Sequence, residues 1–369
     1  FNKVFARKTH KVIQAEIPEF DIEIHCTYSM TNLGLKYLPD LYDLPVKKLS
    51  GDLDYTKLRT SLTPLDEKEM KYCENDCLVV YHYIRYELSM YESVDKLPLT
   101  STGHVRRELK GQTSKDWKYK RIVGKAVNTD PHIYNLLIEA FMGGYTHANW
   151  LYADEIVRCV DSWDFTSSYP TMLIAEQYPV SAGRVVHFTG DHDERMAQME
   201  NYLKKYCCIF DVEFTRIRST IIYEHFIPQY KCDGILSTDI CDNGRVVKAE
   251  CIRTTITNVD YEIIRRCYEW DDIRVKNFRI YNKGYLPKPF IECILKLYND
   301  KTQLKGVEGR EAEYQSAKEN INSLYGACVT ALVHDEYSIK NGEWVITPED
   351  INTELDRYNK SYNRCLFYL

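Results

Sequence analysis

Between Pro287 and Gly326 the sequence reads as a helical hairpin, about 289–325, opened by Pro287 and Pro289 and interrupted at "KGVEGRE" (305–311). This hairpin is the strongest local constraint on the fold, because its neighbours are of a different type. About 180–285 is mixed and largely β-rich, with "TNVDYEIIRRCYEW" (257–270) as a helix inside it. After Gly326, "ALVHDEYSIKNGEWVI" reads as a β-hairpin turning at Asn341-Gly342. A chain that joins these pieces belongs to the mixed α/β class, as an α+β multidomain protein.

The first half fits the same class. Residues 19–30 alternate partly and predict a strand, and "SGDLDY" (50–55) predicts a turn. A helix is expected from Thr63 as N-cap, with Pro64 first and Asp66 and Glu67 in the first turn, to about Met90. Pro98 and "TSTGH" (100–104) break the pattern, and another helix begins after Gly103 and carries Arg106 and Arg107. Residues 133–150 predict a helix ending at Gly143-Gly144. The apolar run 156–160 predicts a buried strand that ends just before Asp164.

Length and composition bound the rest. With 369 residues, 44% of them hydrophobic, two or three domains with real cores are expected. No run of about 18 apolar residues suggests a membrane span. The thirteen cysteines include no C-x-x-C pair, and reduced thiols in a cytoplasmic protein are expected. The net charge of −6 means that any nucleic-acid surface must be local. The chain begins without Met and ends at "RCLFYL", which reads as a piece of a longer protein.

Two segments carry chemistry. In "AKENINSLYG" (317–326), Lys318, Asn322 and Tyr325 stand at offsets 0, 4 and 7. At about 100° per residue they share one helix face within about 60°. That face is either solvated or presents a cation to phosphates and a ring to a base or sugar. In "DSWDFTSSYP" (161–170), Asp164 follows the apolar run, and read alone it is either a turn residue or a Mg²⁺ ligand.

Together the two segments are specific. "DFTSSYP" resembles the D-x-x-S-x-Y-P signature of family B DNA polymerases, and "KENINSLYG" resembles their K-x-x-x-N-S-x-Y-G signature. The resemblance is closest to the protein-primed branch of bacteriophages and linear plasmids, and it covers nearly the whole chain. "KYCENDCLVVY" (71–81) resembles the third exonuclease motif through Tyr72 and Asp76, four apart on one helix face. "KLSGDLDY" (48–55) resembles the segment before that motif, with Tyr55 at its end and Ser50 where relatives often carry Lys. "FMGGYTHAN" (141–149) resembles the Y-x-G-G loop, with Phe141 in place of the usual Tyr. Its glycines either let the backbone approach a template phosphate or cap a helix.

The resemblance implies a partial RNase H-like exonuclease domain followed by the palm and fingers of a right-hand polymerase. On this reading 1–100 is the end of the 3′–5′ exonuclease domain, and 101–150 holds connecting helices and the Gly-Gly loop. Residues 151–181 are the palm segment, and 182–285 a terminal-protein-region-like insertion, since 147 residues separate Pro170 from Lys318. Residues 286–327 are the fingers helices, and 328–369 a β-hairpin and the start of the remaining palm.

It also implies roles. Asp164, with the Phe165 carbonyl, would bind two Mg²⁺ or Mn²⁺ ions, and Asp76 would be an exonuclease metal ligand beside Tyr72. Ser167, Ser168 and Tyr169 would border the incoming nucleotide, with the Tyr169 ring excluding a 2′-hydroxyl. Lys318, Lys296 and Lys301 would meet triphosphate charge, and Asn322, Tyr325 and Gly326 would lie near the nascent base pair. Gly143, Gly144, Tyr145 and Tyr55 would contact DNA. The partners implied are primer-template DNA, dNTPs and a terminal protein primer, in the host cytoplasm. The second polymerase carboxylate, in a D-T-D-S-like motif, does not occur before Leu369. The rival readings are a non-catalytic DNA- or terminal-protein-binding remnant and a stand-alone exonuclease.

Overall fold

A computed structural model describes residues 3–6, 8–49, 56–113, 116–117, 130–329 and 333–360. It divides the chain into two compact units, Phe1–Asp116 with Lys288–Asp350 and Trp117–Pro287 with Ile351–Leu369.

The first unit has a five-stranded antiparallel sheet and a helical layer. Its strands are β1 (Lys3–Ala6), β2 (Val12–Ile17), β3 (Ile22–His25), β11 (Glu336–Lys340) and β12 (Glu343–Thr347), in the order β12-β11-β1-β2-β3. The expected hairpin turn is present, with Asn341 and Gly342 at φ 52° and 83°, the left-handed pair that a tight two-residue turn requires. The long strand expected at 19–30 is cut down. Pro18–Phe20 is a 3-10 turn and only Ile22–His25 pairs, before helix α1 (Thr27–Thr31). A short helix α2 (Leu38–Leu41) follows.

Helix α3 (Glu67–Glu87) starts three residues later than the sequence suggests. Asp66 accepts the Glu69 N–H at 2.8 Å while Glu69 accepts the Asp66 N–H at 3.0 Å. This reciprocal cap outcompetes Thr63, whose hydroxyl instead accepts the Thr60 N–H at 2.9 Å. Helix α4 (Ser101–Thr113) begins before Gly103 rather than after it. The helical hairpin is confirmed as α9 (Lys288–Leu304) and α10 (Glu311–Cys328). Phe290, Cys293, Ile294 and Leu297 of α9 and Ile321, Leu324, Ala327 and Cys328 of α10 are buried, and α10 packs on both α9 and α4. (Helices α5 to α8 lie in the second unit.)

The second unit is built on a seven-stranded antiparallel sheet. Strands β4 (Tyr178–Pro179), β10 (Asp272–Gly284), β6 (Tyr206–Ser219), β8 (Arg245–Thr257) and β7 (Ile240–Asp242) lie in that order, with β5 (Arg184–Val185) on β10 and β9 (Tyr268–Glu269) on β6. Inward residues of β6, β8 and β10, among them Phe210, Phe214, Ile252 and Ile280, form its core with α7 (His192–Lys205) and α8 (Asn258–Cys267). Leu136 and Ala140 of α5 (Pro131–Ala140) pack on Ile209. A last helix, α11, spans Ile351–Lys360.

Two expectations fail here. The run 156–160 forms no strand: residues 151–166 are exposed, with Ile156 92% and Val160 69% accessible. A strand exists only through its ladder partner, and among the described residues none pairs with this run. Asp164 therefore follows an exposed, irregular segment, not a buried strand end. The helix expected to reach Gly143-Gly144 stops at Ala140. Phe141 is its C-cap and neither glycine has a positive φ, so the glycines do not cap it.

Candidate active sites

The segment after Asp164 turns sharply into α6 (Ser168–Ala175). Ser167, before the helix, is left-handed at φ 51° and ψ 51°, a conformation that costs a non-glycine residue about 1–2 kcal/mol. Pro170 is buried in the first turn, where its missing N–H leaves no helical bond unmade. Asp164, Phe165 and Ser168 are exposed, with Phe165 83% accessible.

The Asp164 carboxylate makes no hydrogen bond or ion pair among the described residues. A hard, unpaired oxygen donor of this kind fits Mg²⁺, which takes one or two protein oxygens and leaves the rest to phosphate and water. No group of three or more His, Cys, Asp or Glu side chains that could hold a metal occurs among the described residues.

Tyr169 is half exposed, and the structure brings its hydroxyl to the Gly-Gly loop. A Cβ at Gly144 would lie 3.0 Å from Tyr169 Oη, so glycine there leaves room for the phenol. At Gly143 a Cβ would meet nothing within 4 Å. Tyr145 turns away from that pair. Its hydroxyl donates to the His225 carbonyl at 3.0 Å, and the Arg245 guanidinium lies 4.9 Å from its ring centroid. Burial, and then the Glu224 charge, push its phenol above the usual range.

On α10, Lys318 and Asn322 are exposed and Tyr325 half-buried, while Ile321, Leu324 and Cys328 on the adjoining side are buried. The three expected residues thus share the outward side of the helix, next to Gly326, where a Cβ would only touch Thr102 at 3.5 Å. Lys296 is committed to an ion pair with Glu108 of α4. That bond, against some cost of burial, holds its ammonium above the usual lysine range. Lys301 lies 5.1 Å from the Tyr298 ring centroid.

The Tyr72-Asp76 pair gains a member that sequence reasoning missed. Lys48 donates to both Asp76 carboxylate oxygens at 2.7 Å and to Tyr72 Oη at 2.9 Å. Burial pulls its ammonium down, but the Asp76 and Tyr72 bonds outweigh that and raise it overall. Asn75 sets the orientation: its amide donates to the Lys47 carbonyl at 2.6 Å, and Lys47 pairs outward with Asp40. A lysine two positions before Ser50 in the sequence thus stands against Tyr72 and Asp76. The one available signal was the Lys47-Lys48 pair itself. Each Asp76 oxygen keeps a further lone pair, so a metal ligand role fits beside Lys48. Ser50 and Tyr55 lie outside the described residues.

The chain thus has an exposed carboxylate before a tyrosine-bearing helix in one unit and a cation-bearing helical hairpin in the other. The family model for DNA polymerase type B, organellar and viral, matches residues 9–368, and the chain belongs to that family. Its fold is similar to that of Phi29 DNA polymerase in an orthorhombic crystal form, with a TM-score of 0.65 at 16% identity, over 98% of this chain and 61% of that chain. It is likewise similar to Phi29 DNA polymerase complexed with primer-template DNA, with a TM-score of 0.65 at 17% identity, over 98% and 58%. The ternary complex of that polymerase with primer-template DNA and incoming nucleotide substrates gives 0.61 at 18%, over 98% and 58%. The chain thus spans about three fifths of the length of these polymerases. A comparison with curated protein sequences gave no match. No helix among the described residues is long and apolar enough to cross a membrane.

Proposed function

We propose that the complete gene product is a DNA-directed DNA polymerase of the protein-primed kind, with a 3′–5′ exonuclease that proofreads. It adds dNMP to a 3′-hydroxyl on a DNA template and starts from a hydroxyl of a terminal protein. The exposed, unpaired Asp164 carboxylate carries this reading. A carboxylate left without a partner among the described residues, in a chain of this family, is poised for a ligand that is not protein.

Two divalent metal ions, Mg²⁺ or Mn²⁺, would supply activation of the attacking oxygen and charge neutralisation at the leaving pyrophosphate. Asp164 and the Phe165 carbonyl would hold them. Ser167 and Ser168 would border the triphosphate, and the Tyr169 ring would close the space that a 2′-hydroxyl needs. Lys318 would neutralise phosphate charge, with Asn322, Tyr325 and Gly326 beside the nascent pair and Lys301 nearby. Lys296 would first have to leave Glu108. Gly143, Gly144 and Tyr145 would face DNA. Asp76, Tyr72 and Lys48 would serve the exonuclease. The division into exonuclease end (1–100), connection (101–150), palm (151–181), insertion (182–285), fingers (286–327) and hairpin (328–369) belongs to the same reading.

Primer extension and 3′–5′ degradation by the complete gene product test it. Asp164→Ala should abolish nucleotide addition and spare degradation. Retained extension would refute the metal role, and loss of both activities with the fold intact would refute the separation of sites. Labelling of a protein hydroxyl by dNTP tests priming.

A further inference from the structure

The first unit contains a cavity of about 500 Å³, lined by residues of α3, α4, α9 and α10 and the segments beside them. It lies in the usual range for small-molecule sites, about 300–1,000 Å³. One group in it is out of place. Glu87 is 3% exposed, and its Oε1 accepts the Tyr83 hydroxyl at 2.8 Å. Its Oε2 has no hydrogen-bond partner among the described residues. A buried carboxylate oxygen left bare costs free energy unless a partner arrives.

Among the described residues no neighbouring cation takes that place. His104 Nε2 stands 4.0 Å from Glu87 Oε2, too far for a hydrogen bond, while its Nδ1 is 2.6 Å from Tyr91 Oη. Burial, and then Arg107, bring the imidazole down to about 4, so it is neutral near pH 7. The Arg107 guanidinium lies over the Tyr91 ring at 4.1 Å. Lys296 belongs to Glu108. Glu319 of α10 also lines the cavity, and among the described residues it accepts only the Gln315 amide, at 2.9 Å. Burial raises both carboxyls above their ordinary range. Tyr42 connects the two: its ring centroid is 5.1 Å from that of Tyr83, and after burial the charges of Glu319 and Glu87 push its phenol up.

The lining therefore holds four carboxylates, Glu87, Glu108, Asp300 and Glu319, against Arg107 and Lys296, with tyrosine rings between. That excess excludes an anion. The aromatic lining and the volume disfavour a bare metal ion, which wants several converging hard oxygens. We propose that this cavity binds an organic ammonium ion of the diamine or polyamine class. Glu87 and Glu319 are its counter-ions, and Tyr42 and Tyr83 offer it ring faces. The proposal does not rest on the polymerase reading.

Calorimetry of the complete gene product without DNA tests it, with 1,4-diaminobutane and spermidine as probes and Mg²⁺ at matched ionic strength as control. Saturable binding is expected, weakened at least tenfold in Glu87→Gln and in Glu319→Gln. Glu87→Gln keeps an acceptor for Tyr83, and Glu319→Gln is the second arm should the first fail to fold. Absence of saturable binding would overturn the proposal. So would equal binding by wild type and both variants, or equal displacement of the amine by Mg²⁺, since each is the mark of general attraction to a chain of net charge −6.

Discussion

Lys48→Met removes an ammonium and keeps the aliphatic stem, and the structure separates its two consequences. Lys48 bridges Asp76 and Tyr72 through three contacts of 2.7–2.9 Å. Its side chain is 22% exposed and that of Asp76 30%, so water screens the pair in part. Charge-assisted hydrogen bonds contribute about 1.5–3 kcal/mol when well buried and exposed ion pairs about 0–1, so the loss of stability should be about 1 kcal/mol. Against a total of about 5–15 kcal/mol the protein stays folded. Catalysis is different. A donor or cation aimed at developing charge is worth about 10²–10³ in rate. Degradation of a 3′-labelled single strand should therefore fall about 100-fold, while primer extension by the same preparation stays within about twofold. Lys48→Arg should recover part of the loss, since it restores the charge with a different reach. Degradation by Lys48→Met at the wild-type rate would refute the reasoning, because the cation would then be structural only.

Two further outcomes follow from other contacts. Tyr169→Val should admit ribonucleotides, and Gly144→Ala, whose Cβ would come 3.0 Å from Tyr169 Oη, should shift sugar discrimination in smaller measure; unchanged dNTP-to-NTP ratios in both would remove Tyr169 as the gate. His104 titrates at about 4 in the fold and near 6.5 unfolded, so the unfolded chain binds the proton first as pH falls. The stability that neutral His104 contributes is complete above about 6.5, is lost progressively toward 4, and amounts to about 2 kcal/mol lost by pH 5. Denaturant titrations should show His104→Asn gaining on wild type between pH 7 and 5, and parallel curves would sink this.

What the sequence made legible was local, and what it hid depended on distant partners. The helical hairpin could be read because prolines, a glycine-containing break and an apolar stripe are all written within forty residues. The outward placement of Lys318, Asn322 and Tyr325 followed from helix periodicity alone. The start of α3 differs from the expected one although its cap is visible in the sequence, because Thr63-Pro64 and Asp66 are both good openings. The choice between them turns on Glu69, whose carboxylate reaches back to Asp66 while also accepting from Arg59. The run 156–160 carries the apolar pattern of a strand, but pattern specifies only what a segment can do when a neighbour offers a ladder. With none among the described residues, Ile156, Val160 and Trp163 stand open, and Asp164 with them. Lys48 shows the converse. Nothing in its spacing from Tyr72 and Asp76 marks it, because 24 and 28 residues separate them. What selects it over Lys47 is the bond from Asn75 to the Lys47 carbonyl, which turns one lysine to Asp40 and the other to Asp76. A motif names the residues on one element, whereas the charge that completes a site is chosen by the packing of a second element against it.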